Sequence, residues 1–268
     1  MGKDDLDHLE RLLRDLAERE VMARMRHARP WTKADGSLVT EADLAMQAAL
    51  AGALGRVWPD IPLLGEEMPL AQQEVLCARG GTFWCLDPID GTTNYAAGLP
   101  FFCVSLALVD DGQAVAGLVL DPWRGECFSA LRGRGAWLNG QALASPQAPG
   151  RLADCIAVVD LKRLPLALAE RLLTETPVSS LRNFGAVALE WCWLAAGRTQ
   201  LYLHGGQKCW DWAAGGLVAA EAGAALWLGR DLYGPPCAMP APGSWMGLGA
   251  ADAGLLRLWR DWLLQSRA

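Results

Sequence analysis

A short apolar run that leads directly into two aspartates is the most informative segment of this sequence. Residues 82–86 have the pattern of a buried strand, and Asp87-Pro88-Ile89-Asp90 follows at once. Because proline has no N–H to give to a ladder of backbone hydrogen bonds, we predict that the strand ends at Pro88. Asp87 and Asp90 would then lie at its tip, where both carboxylates can face one ion. Considered alone, the same segment could equally cap a turn.

The residues around these aspartates suit a metal ion and a phosphate. Magnesium prefers hard oxygen ligands in an octahedron, which paired aspartates and water provide. Gly91, Thr92 and Thr93 offer unhindered backbone N–H groups for phosphate oxygens at a turn or helix start. The chain carries a net charge of -6, so a bound cation is the expected means of handling an anionic substrate.

Three further segments carry carboxylates that could join this pair. Glu66 and Glu67 follow an apolar stretch, and taken alone they are typical of a solvated loop. Thr40 and Asp43 form a capping box, and Asp43 could also face a metal from the first helical turn. Asp211 begins a helix rich in alanine and glycine, where aspartate suits the N-cap position, a role compatible with metal binding.

The rest of the chain mixes helices and strands. Helical spacing of apolar residues predicts a first helix over about residues 4–27, ended near Pro30, and a second from Thr40 to about Trp58. Strands are predicted at 101–109, 114–120, 126–131, 156–159 and 199–203, with turns at 110–112, 122–125 and 139–140. Further helices are predicted at 165–173, 186–196 and 211–222. This mixture predicts an α+β fold of layered sheets and helices, with a subdomain boundary near residues 145–152.

Composition and charge disfavour several other classes of protein. No apolar run reaches the roughly 18 residues of a membrane span, and the charged N-terminus lacks a signal-peptide core, so we expect a cytoplasmic protein and no membrane partner. No Lys/Arg run is long enough to follow a phosphate backbone, which disfavours nucleic acid. The eight cysteines form no C-x-x-C pair and are expected to be reduced. Three histidines, with no G-x-S-x-G and no P-loop, give little support to other hydrolase classes.

The four acidic segments, in this order, resemble the inositol monophosphatase family. Its G-E-E, D-P-I-D-G-T and W-D-x-A-A-G signatures occur here at 65–67, 87–92 and 210–215, and residues 33–43 match its K-x-D-G-x-x-V-T-x-A-D stretch. The resemblance spans about residues 30–225. It implies a layered α-β-α-β-α sandwich, two or three Mg²⁺ ions, inhibition by lithium and, as in most relatives, a homodimer.

The resemblance also implies a role for each matching residue. The implied metal ligands are Asp43, Glu66, Asp87, the carbonyl of Ile89, Asp90 and Asp211. The implied catalytic residues are Glu66, Asp90 and Thr92, with Glu66 and Thr92 holding the attacking water, and Gly91 and Thr92 would bind phosphate. Residues 1–148 would carry most metal ligands, and residues 149–268 would carry Asp211 and the residues that select the substrate, as one catalytic unit.

The residues that select the substrate are those in which this chain departs from the family. Ala186 replaces the small hydroxyl residue that follows the glycine corresponding to Gly185. His204 stands seven residues before Asp211, where inositol-specific members carry a glutamate that contacts a sugar hydroxyl. Histidine can donate, accept or, near pH 6.5, become charged, although this one could also be a surface residue at a strand end.

These observations predict a phosphatase for a small soluble phosphate monoester similar to inositol monophosphate. Its substrate would contact Asp90, Gly185, Ala186 and His204. The alternative substrates on the same fold are 3′-phosphoadenosine 5′-phosphate, histidinol phosphate and fructose 1,6-bisphosphate. The alternative of another class is a regulatory or interaction protein without turnover.

Overall fold

The computed structural model describes residues 1–144, 147–235 and 243–265. Its helices are α1 Lys3–Glu20, α2 Glu41–Val57, α3 Leu70–Arg79, α4 Thr92–Ala97, α5 Leu166–Thr174, α6 Val187–Ala195, α7 Cys209–Glu221 and α8 Ala253–Leu264. Short 3-10 helices lie at Met22–His27, Leu152–Asp154 and Leu161–Arg163. The strands are β1 Trp31–Thr32, β2 Leu38–Val39, β3 Leu63–Gly65, β4 Phe83–Asp90, β5 Cys103–Asp110, β6 Gln113–Asp121, β7 Glu126–Leu131, β8 Gly135–Leu138, β9 Gln141–Leu143, β10 Ile156–Asp160, β11 Ser180–Arg182, β12 Leu201–Gln207, β13 Ala225–Gly229 and β14 Trp245–Ala250.

Two large sheets form the frame of the molecule. The first has seven strands in sequence order from β3 to β9, and all its pairs are antiparallel except β3 with β4. The second has five strands in the order β11-β10-β12-β14-β13. Its first three strands run parallel, and β14 pairs antiparallel with both β12 and β13. A β1–β2 ribbon precedes both sheets.

Three apolar cores join these sheets to the helices. Leu13 of α1 and Leu50 of α2 pack with Trp84 on one face of the seven-stranded sheet. Between the two sheets, α6 and α7 form the second core, which includes Trp191 and Ala214. In the third core α5 and α8 cover the outer face of the five-stranded sheet. The order of layers is therefore α-β-α-β-α, as the family resemblance implied.

The strand that carries the two aspartates does not end at Pro88, as the sequence analysis predicted. All eight residues of β4 are buried, and the strand continues to Asp90. It pairs with β5 up to Asp87 opposite Ser105, then resumes with Asp90 opposite Cys103 after a shift of register. The proline lies within that irregularity, where it need not donate a ladder hydrogen bond. Asp87 and Asp90 therefore lie on either side of a bulge.

The first helix is shorter than predicted. It ends at Glu20, and a 3-10 helix over Met22–His27 continues the chain, so Pro30 does not end it. Met22 and Met25 still pack against the core of α1 and α2. Residues three apart share a face in both helix types, which is why the apolar pattern indicated one continuous helix.

Two expectations about the remaining chain can be compared with the structure. Among residues 1–144, 147–235 and 243–265, no helix has the length and hydropathy that a membrane span requires. Within the same ranges, the cysteines are free thiols, as expected, while Cys237 lies outside the described residues.

The contact between α6 and α7 depends on a glycine. A Cβ atom on Gly215 would lie 2.5 Å from the carbonyl oxygen of Ala188 and 2.9 Å from Cβ of Trp191. We expect Gly215→Ala to lower the free energy of unfolding by about 1–3 kcal/mol, because the two helices must move apart. Urea denaturation measures this change.

Gly52→Ala is the matched control for that substitution. Gly52 is exposed on α2, and an added Cβ would meet only Nη1 of Arg56 at 3.8 Å. Alanine should therefore raise the free energy of unfolding by about 0.5–1 kcal/mol. Equal stability of the two variants would contradict the close approach of α6 and α7.

Candidate active site

Carboxylates from four segments meet where β4 ends. Glu66 follows β3, and its N–H donates to the carbonyl of Leu86 over 3.1 Å, which holds it beside Asp87 of the neighbouring strand. Asp43 lies in the first turn of α2, and Asp211 lies in the first turn of α7. The structure thus brings together the acidic residues that the sequence analysis selected.

Burial and mutual repulsion act together on these carboxyl groups. Asp87 is only 2% exposed, and burial followed by the charges of Glu66, Asp90 and Asp211 raises its pKa well above the usual range. The pKa of Asp90 is raised to about 7, chiefly by burial. Asp211 is partly exposed, yet desolvation by the surrounding protein, with the charges of Asp90 and Glu66, also raises its pKa. This is the electrostatic pattern of a site that is short of positive charge.

Asp43 has a structural role as well as a place in the acidic group. Its Oδ2 accepts the N–H of Thr40 over 2.8 Å, and Oγ1 of Thr40 accepts the N–H of Ala42 over 3.2 Å. The predicted capping box is therefore present. The other oxygen, Oδ1, lies 3.2 Å from the hydroxyl of Thr92. Burial raises the pKa of Asp43, while the hydrogen bonds from Thr40 oppose that rise.

Asp211 is not the N-cap residue of its helix. The cap position belongs to Lys208, and Asp211 lies three residues later, where its Oδ2 accepts the N–H of Lys208 over 2.7 Å. Aspartate at this third helical position binds backward to the cap backbone, and its charge also interacts favourably with the helix N-terminus. Its orientation is therefore set by its own helix.

Asp90 links the seven-stranded sheet to the helix layer. Its Oδ2 accepts the N–H of Ala188, in the first turn of α6, over 2.6 Å. Glu190, which the sequence analysis missed, accepts the N–H groups of Phe184 and Gly185 over 3.0 and 2.8 Å. Burial raises the pKa of Glu190 to about 7, although those hydrogen bonds oppose the rise. Two carboxyl groups therefore fix the loop that leads into α6.

Lys33 is the basic residue that contacts the acidic group directly. Its Nζ lies 2.8 Å from Oε1 of Glu66 and 2.9 Å from Oε1 of Glu67. Burial opposes the charged form, but these two carboxylates raise the pKa of Lys33 above its usual range. Lys33 and Glu67 stood inside matched motifs, but no pattern in the sequence showed that they pair.

The donor set fits a hard divalent cation. All the groups gathered here are carboxylate, carbonyl and hydroxyl oxygens, which Mg²⁺ prefers, and the buried acids lack matching positive charge. In the part of the chain that the structure describes, no three His, Cys, Asp or Glu side chains are placed closely enough to hold a metal as they stand. Binding of a metal would therefore require these side chains to rotate. Contacts such as that of Lys33 with Glu66 would be broken in the process.

Gly91 brings the predicted phosphate segment against the predicted substrate segment. Gly91 has φ of 89°, and a Cβ atom there would lie 3.1 Å from Cβ of Ala186 and 3.2 Å from the carbonyl oxygen of Gly185. Nδ2 of Asn94 donates to the carbonyl of Phe184 over 2.7 Å. Gly185 and Ala186 therefore lie beside the end of β4.

His204 is buried, not a surface residue at a strand end. It lies within β12, is 5% exposed, and pairs across the sheet with Asp160 of β10. Its Nε2 lies 3.3 Å from Oδ2 of Asp160, and its Nδ1 accepts the N–H of Gly206 over 3.2 Å. The second oxygen of Asp160 accepts from Nδ2 of Asn183 over 3.1 Å.

Two basic residues follow Asp160 in the chain. Nζ of Lys162 and Nε of Arg163 lie 3.8 and 3.9 Å from Oδ2 of Asp160. Arg163 is also near enough to Asp211 for its charge to oppose the rise in the pKa of that carboxyl. His204 itself lies on β12, which leads directly into the first turn of α7, where Asp211 is found.

The raised pKa values make the stability of the metal-free protein depend on pH. Asp90 keeps its proton up to about pH 7 in the folded chain, whereas an unfolded aspartate with a pKa of 3.8 has lost it. The unfolded state binds fewer protons between these values, so stability falls as pH rises through them. In EDTA we expect the free energy of unfolding to be about 2 kcal/mol or more lower at pH 8 than at pH 5. Denaturant titrations at both pH values test this.

Two controls assign that change to the acidic group. A cation that binds only the folded state would stabilise it, so we expect millimolar Mg²⁺ to restore most of the stability that is lost at pH 8. Asp90→Asn should show a smaller pH dependence in EDTA because one buried charge is gone. Equal stability at both pH values, or no effect of Mg²⁺, would contradict this account of the site.

Comparison with known proteins identifies the family. A sequence model of the inositol monophosphatase family matches residues 8–239. The chain is 33% identical over 195 residues to the Nus factor SuhB of Pasteurella multocida, which covers 71% of this chain and 72% of that one. It is 32% identical over 206 residues to inositol monophosphatase 1 of Sus scrofa, covering 74% and 73%.

A solved structure agrees with the sequence comparison. The Thermotoga maritima IMPase superposes with a TM-score of 0.81 at 27% identity, covering 97% of this chain and 96% of that one. The acidic group, the layered fold and the match over most of the length have one explanation: this chain belongs to the inositol monophosphatase family.

Proposed function

We propose that the protein hydrolyses a small phosphate monoester, similar to inositol monophosphate, with Mg²⁺ and water. The observation that carries the proposal is the meeting of Asp43, Glu66, Asp87, Asp90 and Asp211, whose buried members have pKa values raised by desolvation and repulsion. So many carboxylates in one place need cations to balance their charge. The relatives named as inositol monophosphatases are phosphatases. Both the monoester substrate and the need for Mg²⁺ are proposed.

The metal would be held by oxygen atoms from four segments. Glu66, Asp87, the carbonyl of Ile89 and Asp90 come from the β3–β4 side, Asp211 comes from α7, and Asp43 from α2 would serve a third or outer ion. Bound Mg²⁺ supplies charge neutralisation for the phosphate and the leaving alkoxide and lowers the pKa of a bound water. The N–H of Ile89 donates to Oδ1 of Asp87 over 3.1 Å, which fixes one carboxylate before any ligand arrives.

Thr92 and Glu66 would orient the attacking water. The hydroxyl of Thr92 can donate to the carbonyl of Ile89, 2.9 Å away, or to Asp43. Once the hydroxyl hydrogen of Thr92 is donated in this way, the oxygen can act only as an acceptor, so it would accept a hydrogen bond from the water. The carboxylate of Glu66 is also an acceptor, and together the two would leave a lone pair of the water free for phosphorus.

Gly91 and Thr92 would bind phosphate oxygens. Gly91 has a positive φ and turns the chain sharply from β4 into α4, which leaves backbone N–H groups at the turn. Gly185 would face the alcohol part of the substrate beside Asp90, whereas the buried Ala186 and His204, whose ring nitrogens are both occupied, would shape the wall behind it. A regulatory protein without turnover is disfavoured because the predicted carboxylates are all retained. The cytoplasmic location and the homodimer stay predictions.

Asp90→Asn tests the proposal. The amide keeps an oxygen that can accept the N–H of Ala188, so the fold should be retained, but the metal site loses a charge. We expect the rate of phosphate release to fall by more than about 100-fold. That exceeds the usual effect of losing a residue that only hydrogen-bonds to a metal ligand. The assay measures phosphate from inositol 1-phosphate and the alternative esters with Mg²⁺, with EDTA and with added lithium.

Asp154→Asn is the control because Asp154 is an exposed aspartate that interacts with Arg151 on the surface. It should match the unchanged protein in rate. Near-normal turnover by Asp90→Asn, or release that persists in EDTA, would refute the mechanism. Release of phosphate from none of the esters by the unchanged protein would refute the activity itself.

A further inference from the structure

The carboxyl ends of three parallel strands lie beside the metal ligands. β10 ends at Asp160, β11 ends at Arg182, and β12 carries His204 and leads into the helix of Asp211. In open sheets with parallel strands, ligands bind outside these carboxyl ends. Because β12 ends at Gln207 and Asp211 lies in the first turn of the helix that follows, this edge leads directly into the acidic group. The non-phosphate part of a substrate would therefore meet this edge.

Asp160 has its acceptor oxygens in use. Oδ1 accepts from Asn183, and Oδ2 faces His204 at 3.3 Å with Lys162 and Arg163 just beyond. The side chain is also only 8% exposed. It is therefore poorly placed to accept hydroxyl groups of a polyol or to pair with an ammonium group.

His204 is likewise occupied on both ring nitrogens. Nδ1 accepts the N–H of Gly206, so the ring hydrogen belongs on Nε2, which faces Asp160. A ring with this tautomer is neutral and has no free acceptor. The position thus lacks the carboxylate that would accept a hydrogen bond from a substrate hydroxyl.

The exposed charged side chains at this edge are cationic, although two of them also lie near Asp160. The side chains of Lys162 and Arg163 are 73% and 56% exposed, and Lys208 is exposed three residues before Asp211. A Cβ atom on Gly205 would meet the carbonyl oxygen of Arg163, so the loop after β10 lies directly on β12. Lys162 and Arg163 share the single buried carboxylate of Asp160, so positive charge exceeds negative charge among these three residues. Exposed arginine and lysine side chains with excess positive charge are suited to binding phosphate or carboxylate groups.

We propose that the alcohol part of the substrate carries a second anionic group, bound by Lys162 and Arg163. This rests on the proposed phosphatase function and specifies its substrate class. A neutral polyol would leave the cations unused, and an amine would be repelled by them. Lys162 and Arg163 are specificity-determining residues, and they take no part in the hydrolysis at the metal centre.

Two matched pairs of esters separate the possible anions. 3′-Phosphoadenosine 5′-phosphate and adenosine 3′-monophosphate differ by one phosphate, and 2-phosphoglycerate and glycerol 2-phosphate differ by one carboxylate. With Mg²⁺, we expect kcat/KM to be about tenfold higher for the second-anion member of at least one pair, and the preference to weaken with added salt. The pair that shows the preference identifies phosphate or carboxylate as the group.

The double variant Lys162→Gln/Arg163→Gln tests the residues. For the preferred ester, KM should rise about tenfold in the double variant, because the loss of each exposed cation raises KM roughly three- to fivefold. We expect kcat to change little. The partner that lacks the second anion should change less than about twofold. Arg11→Gln/Arg134→Gln removes the same charge from exposed positions on α1 and the β7–β8 turn and should leave the preference intact.

The outcomes separate this inference from the function on which it rests. Hydrolysis of all four esters without preference, or an equal loss on both members of a pair in the double variant, would overturn the inference and leave the phosphatase function standing. Release of phosphate from none of these esters, nor from inositol 1-phosphate, would overturn both. A rise in KM confined to the ester with the second anion supports both.

Discussion

Repulsion between carboxylates is the constraint that the rest of this structure must accommodate. Asp87 and Asp90 are buried; beyond burial, the charges of Glu66 and Asp90 raise the cost of ionising Asp87, and those of Glu190 and Glu66 raise that of Asp90. Like charges in a region of low polarity repel far more strongly than they would in water. Lys33 offsets part of this charge through Glu66 and Glu67, but one ammonium group does not balance the set. The surrounding fold must supply the remaining stability until a cation binds.

The fold holds three of the carboxylates in place by giving each of them a backbone partner at the start of a helix. Asp43 binds the N–H of Thr40, Asp211 binds that of Lys208, and Asp90 binds that of Ala188. Each bond satisfies a group at a helix N-terminus that would otherwise lack a partner. The helix ends therefore gain a cap, and the acids gain a fixed direction. The bonds of Asp43 and Asp211 lie within the first turns of their own helices, whereas that of Asp90 joins the seven-stranded sheet to α6, so loss of the site geometry and loss of helix ends are coupled.

The parts that the sequence could predict are those whose pattern is local. The apolar strand before Asp87 and the capping box of Thr40 each lie within a few residues, and both are present. The helix α8 was missed although Leu255, Trp259 and Leu263 repeat at helical spacing behind an Asp252 cap, so its signal was available. In α3, by contrast, Gln73 is the buried residue, and the apolar pattern is correspondingly weak.

Contacts between distant strands could not be read in this way. Asp160 and His204 are partners only because β10 and β12 lie side by side in one particular register. A shift of one residue would turn His204 to the opposite face of the sheet and break the pair. The contact of Lys33 with Glu66 and Glu67 likewise depends on the β1–β2 ribbon lying against the end of β3. Local chemistry predicted which residues carry charge, but not which charges neutralise one another.

The separation of the two sheets has a consequence for how such a site can change its specificity. Asp87 and Asp90 belong to the seven-stranded sheet, whereas His204 and Asp160 belong to the five-stranded sheet. The cations Lys162 and Arg163 lie on an exposed 3-10 turn after β10, where substitutions leave the cores of both sheets unchanged. Residues at this turn can thus change the charge at the edge of the five-stranded sheet without any change in the carboxylates of the acidic group.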